Sequence, residues 1–194
     1  MPRSEPAPID ADVRAVVESA HLVFAATVTP DGQPNLSPKG TIRVWDDGHL
    51  FFLDIASPKT RANLEHNPKI ELNVVEHLSR RGYRFFGTAT LHRDDDVFRE
   101  ALRRVFAEEK AAYPVSCVVL VAVERREALV SPGYMHVDSE RAMREAWRVR
   151  RATLDASFDD HASAQPFTPE PHEPAAPAHA PAPAPAPAPS DGAD

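Results

Sequence analysis

The stretch LVFAATVTPDGQPNLSPKGTIRVWDDGHLFFLD, residues 22–54, decides the fold class. It holds three apolar runs, and two short segments rich in Pro, Asp and Gly separate them, at 30–33 and 46–48. Segments of this composition join antiparallel neighbours through tight turns. The stretch therefore predicts three consecutive antiparallel strands, at 22–28, 35–45 and 50–53.

The flanking sequence adds three further strands and four short helices. Apolar residues at helical spacing predict helices, and alternating or continuous apolar runs predict strands. The predicted helices cover 10–20, 57–67, about 95–106 and 139–154, and the predicted strands cover 69–75, 83–91 and 117–123, with 128–130 as a possible continuation. Six strands with few helices predict a mainly β fold, a six-stranded antiparallel split barrel rather than a doubly wound parallel sheet.

The composition divides the 194-residue chain into three parts. Residues 9–154 carry the apolar periodicity and predict one domain. Residues 1–8 are predicted to form a flexible arm, and residues 155–194 a disordered tail, because alternating Ala and Pro over 181–189 cannot bury enough apolar surface to order the chain. The tail is a linker or, alternatively, a polyproline II recognition segment.

Charge and residue counts exclude several classes of function. A net charge of −7 argues against a nucleic-acid partner, because such a partner needs a concentrated basic face.

The single cysteine, Cys117, excludes an internal disulfide. It lies in an apolar run, which favours an inert core residue. The nine histidines show no metal-ligand spacing, so no metal site is predicted. Without an apolar span or a signal-peptide pattern, the expected location is the cytoplasm.

A first candidate site follows the third predicted strand. Ser57 and Pro58 are typical of a helix start, where free backbone N–H groups and the helix dipole attract anions. Lys59, Thr60 and Arg61 add positive charge and a hydroxyl donor. This pattern indicates a phosphate site, and the alternative is a capped helix with two exposed basic residues.

A second candidate site interrupts the second predicted strand. Lys39 lies in mid-strand between Pro38, which donates no backbone hydrogen bond, and Gly40, which allows a ligand close to the backbone. Ser37 and Thr41 flank this segment. The alternative is an edge strand with a bulge. The chain has no Gly-rich dinucleotide motif, no Walker loop and no G-x-S-x-G elbow.

The order of these motifs resembles that of the pyridoxamine 5′-phosphate oxidase-like, FMN-binding split-barrel proteins. The resemblance covers residues 22–91, with a weaker similarity over 131–147. Its motifs are Asp31-Gly32-Gln33-Pro34, Ser37-Pro38-Lys39-Gly40, Ser57-x-Lys59, Asn63-Leu64, Asn67-Pro68 and Tyr83-Arg84-Phe85-x-Gly87.

The resemblance implies an FMN-dependent oxidoreductase that acts on a small molecule as a homodimer, with two cofactor sites shared between the subunits. It places the Ser57-x-Lys59 pair on the FMN phosphate, with Thr60 and Arg61 as neighbours. It also implies that Ser37, Pro38, Lys39, Gly40 and Thr41 lie against the flavin, that Asp54 and Ile55 border its ring, and that Arg84 approaches the cofactor, often across the dimer interface.

Three alternatives to FMN-dependent turnover stay open. Related split barrels use a deazaflavin cofactor instead of FMN. The chain could also be a non-catalytic flavin- or haem-binding module, or a structural dimer with an empty cleft. Oxidation of vitamin B6 itself is not expected, because the sequence has no counterpart of the C-terminal segment in which the true oxidases carry Arg and His substrate contacts.

Overall fold

A computed structural model describes residues 8–110 and 112–159 of the chain. Residues 1–7 of the predicted arm, and the predicted tail from residue 160 onward, lie outside the described residues. The described residues form four helices, α1 (Ala11–Ala20), α2 (Pro58–His66), α3 (Asp96–Glu109) and α4 (Glu140–Asp159), besides a short 3₁₀ turn over Pro132–Met135. The described strands are β1 (Val23–Val28), β2 (Pro34–Lys39), β3 (Arg43–Asp46), β4 (His49–Asp54), β5 (Lys69–Glu76), β6 (Arg81–His92) and β7 (Cys117–Val130).

The seven strands form one antiparallel sheet in the order β2-β1-β5-β6-β7-β4-β3. The two edge strands, β2 and β3, follow each other in the chain, and only residues 40–42 connect them. A flat sheet of this size would separate its edges by about 29 Å. The connection reaches at most about 14 Å. The sheet therefore has to curl into a barrel that is split between β2 and β3.

The fold class, a mainly β antiparallel split barrel, is confirmed, but the prediction of six strands was wrong. The predicted strand over 35–45 is two strands: β2 pairs with β1, with Val23 opposite Lys39, whereas β3 pairs with β4, with Arg43 opposite Phe51. Pro38 and Gly40 indicated the interruption, but the sequence does not show that the chain changes its pairing partner there.

Two apolar clusters stabilise the barrel. The larger one fills the interior and includes Phe52, Phe85 and the buried face of α1. The smaller one packs α3 against the outer side of β4 and β7 and includes Phe51. Because β4 is buried on both sides, its run is continuously apolar rather than alternating. Cys117 is fully buried, as predicted, and burial raises the pKa of its thiol to about 11.

The last helix extends further than the sequence indicated. It runs to Asp159, five residues past the domain end that was placed at 154. Met143 is buried, and Arg144 lies 2.9 Å from the buried carboxylate of Glu76, so the first half of α4 is fixed to the end of β5. No helix within the described part of the chain is long and apolar enough to span a membrane.

Candidate functional site

The two segments that the sequence singled out meet at the split of the barrel. The end of β2 and the loop after β4 line a cleft of about 340 Å³. That volume lies within the range of roughly 300–1,000 Å³ that is typical of small-molecule sites. The lining residues are Ser37, Pro38, Lys39, Gly40, Thr41, Leu53, Ile55, Ala56 and Ser57.

Lys39 joins the two sides of this cleft. Its side chain is buried, with 4% of the residue exposed, and its amine donates to Ser37 Oγ at 2.6 Å and to Ser57 Oγ at 2.5 Å. The two hydroxyl oxygens lie 3.4 Å apart. One cation and two hydroxyl groups thus converge at the point where β2 approaches the start of α2.

Ser57 occupies the N-cap position of α2, but its hydroxyl does not cap the helix. The hydroxyl contacts Lys39, whereas the Ser57 backbone N–H donates to Asp54 Oδ1 at 3.0 Å. Pro58, in the first turn, has no N–H to donate. The first turn of α2 therefore keeps backbone N–H groups without a side-chain acceptor, which favours an anion there.

Asp54 neutralises Arg61. The Asp54 carboxylate is 1% exposed, and its Oδ2 accepts from the Arg61 guanidinium at 2.8 Å. The thiol of Cys117 lies 3.9 Å from the same oxygen. The positive charge of Arg61 is thus compensated inside the protein, and Arg61 is absent from the lining of the cleft.

Lys39, in contrast, has no carboxylate within ion-pair distance among the described residues. Burial lowers the pKa of its amine, and the negative charge of Asp54 opposes this effect only in part. The ring of Phe52 lies 5.6 Å from the amine. A buried ammonium with hydroxyl partners only is costly, so an anionic ligand would stabilise it.

A buried polar cluster fixes α2 against β1 and β2. Thr27 Oγ1 accepts from the amides of Asn35 and Asn63, at 3.0 Å each. Asn35 also donates to Thr60 Oγ1 at 3.2 Å. Thr60 is 2% exposed, so its hydroxyl serves this cluster rather than the cleft. This role of Thr27 and Asn35 was not predicted from the sequence, although Thr27 stands at an inward-facing position of an apolar strand.

Thr41 connects the two edges of the split. Its hydroxyl accepts from the Leu53 backbone N–H at 2.9 Å, next to the loop that carries Ile55. Gly40 and Ile55 are exposed and form the rim of the cleft. Leu53 and Ala56 also line the cleft. They were not predicted from the sequence, because an apolar residue at or after a strand end carries no specific signal.

Besides Asp54, Thr60 and Arg61, two further predicted site residues lie outside the cleft lining in the single chain. Lys59 is exposed on the first turn of α2 and is not part of the cleft lining. Arg84 lies on β6, where its Nε is 2.9 Å from the Glu71 carboxylate at an angle unsuited to a hydrogen bond, and its Nη1 is 3.5 Å from Glu127. The approach of Arg84 to a cofactor across a dimer interface stays a prediction.

No group of three His, Cys, Asp or Glu side chains within the described ranges could hold a metal ion. The cleft itself presents two hydroxyl groups, the Lys39 amine and apolar side chains.

Comparisons with known proteins agree with the fold. HupZ of Group A Streptococcus is 34% identical in sequence, with a TM-score of 0.55 over 63% of this chain and 95% of that protein. An FMN-binding protein from Syntrophomonas wolfei has a TM-score of 0.53 over 61% of this chain and 84% of its own, and at 14% identity it shows the fold alone. A search of curated proteins found no match. The sequence model of the pyridoxamine 5′-phosphate oxidase family matches residues 9–129, and the chain belongs to that family.

Proposed function

We propose that the protein binds FMN in the cleft at the split of the barrel and acts as an oxidoreductase on a small organic molecule. The observation that carries this proposal is Lys39, a buried cation that faces the cleft beside the first turn of α2 and has no carboxylate partner among the described residues. Membership of the pyridoxamine 5′-phosphate oxidase family supports a flavin as the occupant.

The residues present fit the two halves of FMN. The phosphate carries up to two negative charges, which the hydroxyl of Ser57, the amines of Lys39 and Lys59 and the free N–H groups of α2 can compensate. The flat ring needs an apolar surface, which Pro38 and Ile55 provide.

When bound, a flavin supplies the electron transfer itself, and the protein contributes binding, orientation and electrostatics. Lys39 and Ser57 hold the anionic group, and Thr41 fixes the distance between the two sides of the split through its bond to Leu53. No protein nucleophile is required, which agrees with the absence of a catalytic triad motif in the sequence.

The spectrum of the purified protein tests this proposal directly. We expect flavin absorbance bands, and a mass equal to that of FMN for the ligand released by heat. A deazaflavin spectrum would keep the fold and change the reaction class, and a haem spectrum would favour the non-catalytic binding module. A colourless protein that also fails to bind added FMN would contradict the proposal.

Lys59→Ala is expected to weaken FMN binding about tenfold to a hundredfold, since a hydrogen bond to a charged group contributes about 1.5–3 kcal/mol. Binding of riboflavin, which lacks the phosphate, should stay unchanged. Titration of flavin fluorescence measures both affinities. Lys69→Ala is the matched control, because Lys69 is an exposed lysine that pairs with Glu124. Equal loss of riboflavin binding would contradict the phosphate assignment.

We also propose that the protein is a homodimer. The outer side of β1 and β2 carries one continuous apolar face, formed by the paired residues Phe24 and Pro38, Ala26 and Leu36, and Val28 and Pro34. Leu36 is 64% exposed and Phe24 is 41% exposed. The prolines of β2 disfavour pairing along its edge, so a second copy would pack on this face. The face adjoins the cleft, because Pro38 belongs to both.

Leu36→Asp is expected to convert the dimer into a monomer, because a carboxylate would be buried at the centre of the apolar face. Light scattering after size-exclusion chromatography measures the mass. Val149→Asp is the control, since Val149 is 61% exposed on α4 and lies outside this face. Dissociation by Val149→Asp, with Leu36→Asp still dimeric, would move the interface to α4.

A further inference from the structure

A hydroxyl group, an imidazole and a carboxylate form one hydrogen-bonded row between the end of β6 and the start of α3. Thr90 Oγ1 lies 2.8 Å from His92 Nε2, and His92 Nδ1 lies 2.7 Å from Asp95 Oδ2. The side chain of His92 is 19% exposed, so the ring is largely enclosed, whereas Thr90 is exposed to solvent. None of these three residues lines the cleft at the split of the barrel.

The position of Asp95 decides which nitrogen of the imidazole carries the proton. Asp95 is the N-cap residue of α3, and its Oδ1 accepts from the Phe98 backbone N–H at 2.9 Å. The hydrogen bonds from this N–H and from His92 lower the pKa of the Asp95 carboxyl, so it is a carboxylate that can only accept. In the neutral ring, Nδ1 of His92 therefore carries the proton, and Nε2 has a free electron pair that accepts from the Thr90 hydroxyl.

The Thr90 hydroxyl has the surroundings of an activated nucleophile. Its proton is directed at a base, a carboxylate orients that base, and the oxygen lies on the exposed side of β6. A second acceptor, the Leu120 carbonyl oxygen on β7, lies 3.5 Å from Oγ1. That distance exceeds the usual range of about 2.5–3.0 Å for a hydroxyl donor, so the imidazole is the better acceptor for this proton.

Capping of α3 does not account for the position of the hydroxyl, because the cap uses only Oδ1 of Asp95. A second imidazole–carboxylate pair in the chain shows the difference. His49 Nδ1 lies 2.7 Å from Asp46 Oδ1, and these residues are also three positions apart. Among the hydrogen bonds of the described residues, however, no hydroxyl contacts the other ring nitrogen of His49. Only the set at Thr90 therefore combines nucleophile, base and carboxylate.

We propose that Thr90 is an acyl-transfer site, at which the hydroxyl accepts the acyl group of a small activated ester or thioester with His92 as general base. This inference goes beyond the proposed function and does not depend on a flavin. A bond forms between Thr90 Oγ1 and the acyl carbon while the hydroxyl proton moves to His92 Nε2. The bond from the acyl carbon to the leaving group then breaks, and the imidazolium gives the proton to the departing alkoxide or thiolate. Water releases the acyl group in the same way, with His92 taking a proton from the water and returning it to Thr90 Oγ1.

The class of donor follows from the size of the effect. General-base catalysis accelerates a reaction by roughly 10²–10⁴-fold, so the donor needs a good leaving group such as a phenolate or a thiolate. An exposed hydroxyl on the open side of a sheet leaves most of the donor in water. The reactivity of the ester, rather than the shape of its acyl chain, should therefore decide the rate. His92 touches the reacting hydroxyl, whereas Asp95 acts through His92 as a positioning residue.

Incubation of the full-length protein with p-nitrophenyl acetate tests the proposal, and peptide mass spectrometry locates the acetyl group. We expect an acetyl group on Thr90, while Thr88, two residues earlier on the same side of β6 and in contact with Lys69 and Glu124, stays free. Thr90→Val should slow the release of p-nitrophenolate. An unmodified protein without an acetyl group on Thr90 would overturn the proposal, and this result needs no variant. A protein that is acetylated at Thr90 but does not bind FMN would contradict only the proposed function.

Asp95→Asn separates the orientation of the base from the helix cap. Asparagine caps a helix as well as aspartate does. Its carbonyl oxygen has to face the Phe98 N–H, so its amide NH₂ group faces His92 Nδ1, and Nε2 then carries the ring proton and no longer accepts from Thr90. We expect acetylation of Thr90 to decrease about a hundredfold or more at a nearly unchanged melting temperature, and to decrease as much in His92→Gln. His49→Gln is the matched control and should keep full acetylation. Undiminished acetylation of Thr90 in Asp95→Asn or in His92→Gln would overturn the proposal.

Discussion

Replacing Gly87 with alanine is expected to lower the free energy of unfolding by about 3 kcal/mol or more, the upper end of the range for overpacked positions. A Cβ atom at this position would lie 2.3 Å from the Ala122 carbonyl oxygen and 2.8 Å from Val121 Cγ1. The first neighbour is backbone of the paired strand β7, so it cannot move away as a flexible side chain could. Gly87 also stands where the register between β6 and β7 shifts, and the close approach of the two strands there requires a residue without a side chain.

Urea unfolding of the variant and of the unmodified protein measures this loss. Gly48→Ala is the matched control, because the nearest atom to its Cβ would be a side-chain oxygen of Asp46 at an ordinary 3.7 Å. We expect the control to stay within about 1 kcal/mol. Equal stability of Gly87→Ala and Gly48→Ala would show that β6 and β7 can separate at the register shift.

Gly87 also illustrates what the sequence can and cannot reveal about the fold. Local signals located the helices and strands, since turn composition and apolar periodicity act over a few residues. The need for a glycine at 87 depends on Ala122, 35 residues away in the chain, and no local pattern contains that neighbour. The change of pairing partner between β2 and β3 was missed for the same reason, and it altered the number of strands.

Only part of the candidate site could be predicted from the sequence. Lys39 and Ser57 were each selected from their own stretch, but the hydrogen bond between them depends on the curvature of the whole sheet. Arg61 was expected beside the FMN phosphate because positive charge clusters at a helix start. The ion pair of Arg61 with the buried carboxylate of Asp54 was not predicted, because Asp54 was expected to border the flavin ring.

Replacing Asp54 with alanine is expected to destabilise the protein by about 3–5 kcal/mol, the usual loss when one partner of a buried ion pair is removed. Asp54 is 1% exposed and accepts from two groups of α2 and its N-cap, the Arg61 guanidinium at 2.8 Å and the Ser57 N–H at 3.0 Å. Alanine would leave a partly buried guanidinium without a counter-charge and the start of α2 without its acceptor. Thermal or urea unfolding measures the loss. Asp47→Asn is the control, because its ion pair with Arg14 is exposed and should contribute at most about 1 kcal/mol.

The milder variant Asp54→Asn separates the contribution of Asp54 to stability from its influence on the pKa of Lys39 in the cleft. Asparagine can still accept from the Ser57 N–H, but it removes the negative charge that favours the protonated form of Lys39. The pKa of Lys39 should therefore decrease further. Because the proposed function has the protonated amine of Lys39 hold the FMN phosphate, FMN affinity should fall as the pH rises through the pKa of Lys39, and this fall should begin at a lower pH than in the unmodified protein. An unchanged pH profile in a folded Asp54→Asn protein would mean that Asp54 serves only Arg61 and the start of α2. A profile shifted to lower pH would mean that one carboxylate both fixes the helix and adjusts the charge of the lysine that faces the ligand.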